Sequence, residues 1–201
     1  MSGSIIPVPP GQVAAVVTHL EMRAARAGRA ASSPGLSLKR ITEPGLDWYR
    51  ALFRAVGEEW LWNMRLALDD AALAAIIHDP KVEVYALSDE TGETGLLELE
   101  FEYAEKGHCQ LSYFGLAARA IGTGAGRWMM GRAVERVFSG EPPIQVFAVH
   151  TCTLDHPAAL GFYLRSGFKA VKRELEIMPD PRLNGLLPAG AAGDVPVIPA
   201  P

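Results

Sequence analysis

The sequence predicts a single α/β (α+β) domain built on a mixed, mostly antiparallel central sheet, with one parallel strand pair that splays apart and helices on both faces. Three observations predict it. Residues 110–168 read as strand, glycine-rich turn, helix, strand and helix, the order of a parallel β-α-β unit. Residues 95–103 alternate cleanly, with Leu97, Leu99, Phe101 and Tyr103 on one face and Glu98, Glu100 and Glu102 on the other, which places antiparallel strands before that unit. At 201 residues and 49% hydrophobic content, the chain buries one sizeable core.

Taken in order, residues 12–22 are apolar and β-branched enough for a strand. A loop follows over residues 23–35, and residues 36–42 form a further strand. Trp48, Leu52, Phe53 and Val56 recur at helical spacing. A second helix begins at Asp69 and Asp70, whose charges suit its positive end, and stops before Pro80. Residues 82–87 are a strand joined to 95–103 through a turn at Gly92, an antiparallel hairpin. After the glycines, Met129, Met130, Ala133, Val134, Val137 and Phe138 make one apolar helical stripe that ends near Gly140. Residues 144–149 are a near-continuous apolar run, as suits a strand covered on both faces. The next helix starts at Asp155 or His156, with Pro157 in its first turn. Residues 169–177 are the last strand. The tail from Pro179 is rich in Pro, Gly and Ala, and its residues 195–198 offer at most an edge strand.

Composition narrows the function. A net charge of −4 and a pI near 5.7 argue against a nucleic-acid grip, which needs a basic stripe. The N-terminal residues lack a charged start followed by a long apolar run, so neither a signal peptide nor a membrane span is expected and the default location is cytoplasmic. Cys109 and Cys152 fall at the start of one parallel strand and the end of the next. Seven residues of strand rise roughly 23 Å, whereas disulfide Cα atoms lie within about 7 Å, so both thiols are expected to be free.

The apolar run at residues 111–116 leads into Gly122, Gly124 and Gly126, which put bare backbone where a helix begins. Unpaired N–H groups and the positive end of the helix dipole attract an anion there. A P-loop needs Gly-Lys-Ser/Thr, but this turn continues Gly126-Arg127-Trp128. A Rossmann fingerprint needs Gly-x-Gly-x-x-Gly, and the spacing here is shorter. His150, Cys152 and His156 are separated by the strand-to-helix turn and lack a fourth ligand, so no metal is expected.

The third anion of this kind is the pyrophosphate of coenzyme A. IGTGAGRWMM, residues 121–130, resembles the acetyl-CoA loop and helix of the GNAT superfamily of N-acetyltransferases, and HPAALGFYLRSGF, residues 156–168, resembles that superfamily's Tyr-x-x-x-Gly-Phe helix. The resemblance covers most of the chain and implies three parts: residues 1–35 as an N-terminal strand and loop packed on the domain, 36–178 as the acetyltransferase domain, and 179–201 as a tail. It implies an acetyl-CoA-dependent transfer of acetyl to a primary amine of a small molecule or peptide, with a non-catalytic acyl-CoA sensor as the alternative. Amides from Gly122 through Thr123, Gly124, Ala125 and Gly126 to Arg127 would hold the pyrophosphate. Phe114 and Leu116 would offer backbone groups to the pantetheine, and Tyr163 would be the general acid. Ile121 departs from the usual Arg or Gln, and His156 stands where Asn is common, beside the cofactor.

Proton bookkeeping locates the difficulty of such a reaction. A tyrosine near pKa 10 protonating a thiolate near 8.5 is uphill by about 2 kcal/mol, whereas deprotonating an aliphatic amine near 10.4 costs about 4 kcal/mol at pH 7.4. The base therefore matters more than the acid. Some relatives place a glutamate where this chain has Gln110; Glu100 or Glu102 acting through water, then Glu59, are the substitutes. Trp60 and Trp62 either finish the core or wall a pocket for a cationic amine. Glu98, Glu100 and Glu102 are either a solvated face or an acidic groove. A homodimer is open as the assembly, and neither nucleic acid nor membrane is an expected partner.

Overall fold

A computed structural model describes residues 3–23 and 35–201. Among these residues seven strands form one sheet: β1 Gln12–Met22, β2 Ser37–Ile41, β3 Val82–Asp89, β4 Gly92–Glu100, β5 His108–Leu116, β6 Val146–Cys152 and β7 Lys169–Pro179. Their order across the sheet is β2-β3-β4-β5-β6-β1-β7, antiparallel throughout except for the parallel neighbours β5 and β6. Helices α1 (Leu46–Gly57) and α2 (Asp70–Ile77) pack on one face, around Tyr49, Phe53, Leu73 and Leu96. Helices α3 (Ala125–Phe138) and α4 (Ala159–Ser166) pack on the other, around Met129, Phe147, Leu111 and Phe168. The mixed sheet with helices on both faces is thus as the sequence predicts. The loop expected over residues 23–35 falls mostly outside the described residues.

The helix boundaries follow local chemistry. Asp69 caps α2, its carboxylate accepting the Ala72 N–H at 2.8 Å. Gly167, at φ +111°, closes α4 in the left-handed region. The start of α4 is later than the sequence suggests, at Ala159. Asp155 is occupied elsewhere, accepting hydrogen bonds from the Thr151 hydroxyl (2.6 Å) and the Cys152 N–H (2.9 Å), which holds the chain in a turn.

The strand expected within residues 1–35 is β1, which lies between β6 and β7 and pairs with both. Two expectations need correction. β4 stops at Glu100, so the alternation through Tyr103 outruns the strand, and β4 is buried on both faces from Thr94 to Leu99. The tail forms no edge strand at residues 195–198. It folds back on the buried Arg182, whose guanidinium pairs with Asp180 at 2.7 Å and donates to the carbonyls of Ala191 and Val195. Leu187 and Ala191 thereby join the core under α1.

Candidate active site

β5 and β6 pair from His108 opposite Val146 to Leu111 opposite Val149, and there the pairing ends, although β5 continues to Leu116 and β6 to Cys152. A register shift between β4 and β5 leaves Ser112 unpaired at the same level. The two strands therefore diverge. Beyond Leu111 the edge of β5 that faces β6 has no strand partner among the described residues, so backbone groups of residues 112–116 are available to an extended ligand. A cleft of about 960 Å³ fills the split, and Phe114 and Leu116 line it.

At one end of the cleft is the glycine turn. Gly122 (φ +82°) and Gly124 (φ +95°) take left-handed conformations that an L side chain rarely adopts, and no described residue lies within 4 Å of where a Cβ on either would sit. The first α-helical bond of α3 runs from Trp128 N–H to the Gly124 carbonyl, at 3.1 Å. Ahead of it, the N–H groups of Gly122, Gly124, Gly126 and Arg127 meet no acceptor among the described residues. The exposed Thr123 has its hydroxyl engaged locally, donating to the Ala120 carbonyl at 2.8 Å, and Ala125 is buried. The cradle is thus open, with unpaired donors at the positive end of a helix, and it fits a pyrophosphate. Ile121 stands exposed beside it.

Tyr163 comes from α4 and lines the cleft, although the residue is only 7% exposed. Its ring is held edge-on by Phe162 (5.5 Å), Phe168 (5.8 Å) and Phe114 (6.3 Å). Its hydroxyl makes no hydrogen bond among the described residues. Burial, and then the charge of Asp155, push the phenol above its ordinary range, so it keeps its proton. A protonated, unpartnered hydroxyl on a rigid ring is arranged to donate to whatever enters the split.

The opposite wall comes from the segment after α1. Leu61 adopts a left-handed φ of +57° and lies between Trp60 and Trp62, and all three line the cleft. Trp60 meets His156 edge to face at 5.0 Å, and the Trp62 indole N–H donates to Asp155 at 3.1 Å. His156 Nδ1 accepts the Ala158 N–H at 3.0 Å, so the ring that stands in the usual Asn slot serves a local turn while facing the cleft.

The carboxylates expected as bases separate sharply. Glu59 is exposed and Glu102 pairs with Lys81 at 3.0 Å, and neither lines the cleft, so neither is placed to act as the base. Glu100 does line it, directly opposite Gln110 across the β4–β5 pair, and accepts a hydrogen bond from the Ser112 hydroxyl at 3.1 Å. Gln110 is in turn opposite Ala148, two residues before His150, so Glu100, Gln110 and His150 share one face of the sheet. His150 lies just past the last β5–β6 pair and lines the cleft. Although His150 is exposed by surface area, the protein atoms packed around its ring, and then the charge of the neighbouring His19 at 5.9 Å, hold its imidazole below the ordinary range. It was legible in the sequence only as a poor metal ligand; its role depends on where the sheet splits.

Glu98 is neither solvated nor in a groove, contrary to the alternation. It is fully buried and accepts hydrogen bonds from the Tyr49 hydroxyl (2.5 Å) and Arg65 (2.6 Å), while Arg65 lies over the Tyr113 ring at 5.1 Å. This network ties α1 to the sheet behind the cleft wall. Removing one member of a buried pair leaves a desolvated charge, so Glu98→Ala should cost about 3–5 kcal/mol and lower Tm by on the order of 10 °C. Thermal unfolding checks it; a variant melting with the parent would mean that water reaches Arg65.

No protein-family model matches the sequence, and no curated protein matches it. Solved structures do. A GCN5-related N-acetyltransferase from Sphaerobacter thermophilus matches with a TM-score of 0.58 at 14% identity, over 85% of this chain and 52% of that one. A tandem GNAT protein from the clavulanic acid biosynthesis pathway matches at 0.56 and 14%, over 85% and 53%. An aminoglycoside acetyltransferase from an uncultured soil metagenomic sample, in complex with sisomicin, matches at 0.51 and 18%, over 66% and 87%. The chain spans about half the length of the first two. Identities this low speak for the fold alone, and with the split parallel pair they identify it as the fold of the GNAT superfamily.

Proposed function

We propose that the protein is an acetyl-CoA-dependent N-acetyltransferase that acts on a primary amine of a small molecule or peptide. The observation that carries this reading is the pairing of an open amide cradle with the unpartnered Tyr163 hydroxyl, both facing one cleft. Acetyl-CoA supplies an acetyl group already activated as a thioester. The free amides at Gly122, Gly124, Gly126 and Arg127 bind its pyrophosphate, and the unpaired edge of β5 from Ser112 to Leu116 orients the pantetheine arm. Tyr163 donates the proton that the departing thiolate needs. Glu100 attracts the ammonium of the acceptor, and neutral His150 on the same face takes its proton. Trp60 closes the acceptor end and lowers the water content there, which strengthens both charge effects.

A thiol-release assay with acetyl-CoA over polyamines, amino acids, peptide N-termini and aminoglycosides tests the activity; the last class is included because one protein of this fold acts on it. Tight binding of acetyl-CoA without thiol release on any amine would favour the sensor, to which the missing carboxylate at Gln110 leans. The groups facing His150 are His19 on β1, Asp155 after β6 and Glu176 on β7, with Lys172 and Glu174 paired beyond them. A lowered imidazole pKa leaves the base neutral and active at neutral pH and disables it only as pH falls. The acid limb of kcat/KM should therefore lie below about pH 6.5. His150→Gln should lower kcat/KM by about 100-fold and abolish that limb, whereas Glu100→Gln should raise KM for a cationic amine and keep it. An unchanged limb in His150→Gln would return the proton to Glu100.

A further inference from the structure

β7 ends the sheet, and among the described residues no strand pairs with its outer edge. Every residue from Lys169 to Ile177 is exposed. Alternation puts Lys172, Glu174, Glu176 and Met178 on one face. That face is accounted for: Glu176 and Met178 line the cleft, and Glu174 pairs with His19 (2.7 Å) and Lys172 (2.6 Å). The other face carries Val171, Arg173, Leu175 and Ile177 and looks away from the cleft. Val171 is 55% exposed, Leu175 46% and Ile177 36%. The neighbouring helix α4 leaves Leu160 and Leu164, one turn apart, exposed as well. Two adjacent elements thus place five large apolar side chains in water.

Exposed edges are ordinarily blunted by shortness, proline or scattered charge. β7 is eleven residues long, its one proline is the last residue, and its charges are sorted rather than scattered. Lys169, Lys172 and Arg173 occupy the first half, Glu174 and Glu176 the second. A strand with oppositely charged halves is complementary to itself when antiparallel. Pairing about a two-fold axis at Arg173 sets each Lys172 against the other copy's Glu174 on the cleft face, and each Val171 against the other copy's Leu175 on the apolar face. The two Arg173 side chains meet at the axis, a single like-charged contact against two opposite pairs.

We propose that the outer edge of β7, with the exposed leucines of α4, binds a second copy of this chain, the two β7 strands joining edge to edge into one continuous sheet. The surface does not depend on the acetyl-transfer reading. Because Glu176 and Met178 line the cleft from the same strand, the second copy braces the outer wall of each cleft.

Sedimentation of the full chain at micromolar concentration should give twice the chain mass of 21.6 kDa. Val171→Glu with Leu175→Glu should weaken association by about 30-fold or more, with circular dichroism unchanged. Lys172→Glu should also separate the copies, and adding Glu174→Lys should rejoin them. Should the glutamate variant fold poorly, Val171→Cys with Leu175→Cys should give, under mild oxidant, a crosslinked pair that the parent chain does not form. A single-chain mass for the parent at the highest soluble concentration overturns the proposal, as does a pair that survives the glutamate substitutions or lacks the crosslink.

Discussion

Replacing Tyr163 with phenylalanine should lower kcat for acetyl transfer by about 100-fold or more, while affinity for acetyl-CoA and the melting temperature stay close to those of the parent. The hydroxyl has no partner among the described residues, so its loss breaks no hydrogen bond there, and the ring contacts with Phe114, Phe162 and Phe168 are kept. What disappears is a donor needed only as the thiolate leaves. Such a loss appears in kcat and kcat/KM together. Because burial raises the phenol pKa, Tyr163 itself adds no basic limb to the pH profile below about pH 10. Steady-state kinetics with calorimetric acetyl-CoA binding decide the matter: full turnover in the variant would make Tyr163 a packing residue, and the bound thioester would then have to find its proton in solvent.

Much of this site is visible in the sequence because its key features are local. A glycine turn at a helix start is fixed by neighbouring residues, and residues 121–127 announce it without tertiary help. The parallel pair is equally legible, since two apolar runs flanking one amphipathic helix leave few other arrangements. What the sequence hides depends on which surfaces meet. Glu98, Glu100 and Glu102 share one alternating face in the sequence, yet α1 covers the first, the cleft exposes the second and Lys81 takes the third. Periodicity reports a face, not what lies across from it. The same limit applies to β1. Its strand character is clear from residues 12–22, but its insertion between β6 and β7 follows from pairings across more than a hundred residues that no local pattern encodes. His150 needs both: the alternation that gives its face, and the point where β5 and β6 part.

Substituting valine for Gly124 should weaken acetyl-CoA binding by about 100-fold or more, and for two separable reasons. At φ +95° an L residue is strained by about 1–2 kcal/mol, and relief of that strain would turn the Gly124 and Gly126 amides away from a common focus. The valine methyls would also occupy the open space in front of the cradle, where no described residue lies within 4 Å of the Cβ position. Gly124→Ala carries most of the strain with less of the bulk, so its affinity should fall between the two. The fold tolerates both, because the Cβ points to solvent rather than into the core, and thermal unfolding should show a loss of no more than about 2 kcal/mol. Titration of coenzyme A, free of any acyl group, isolates the diphosphate contact from catalysis. If Gly124→Val bound coenzyme A as the parent does, the anion would have to sit elsewhere in the cleft, and the alignment of Tyr163 with the sulfur would lose its anchor.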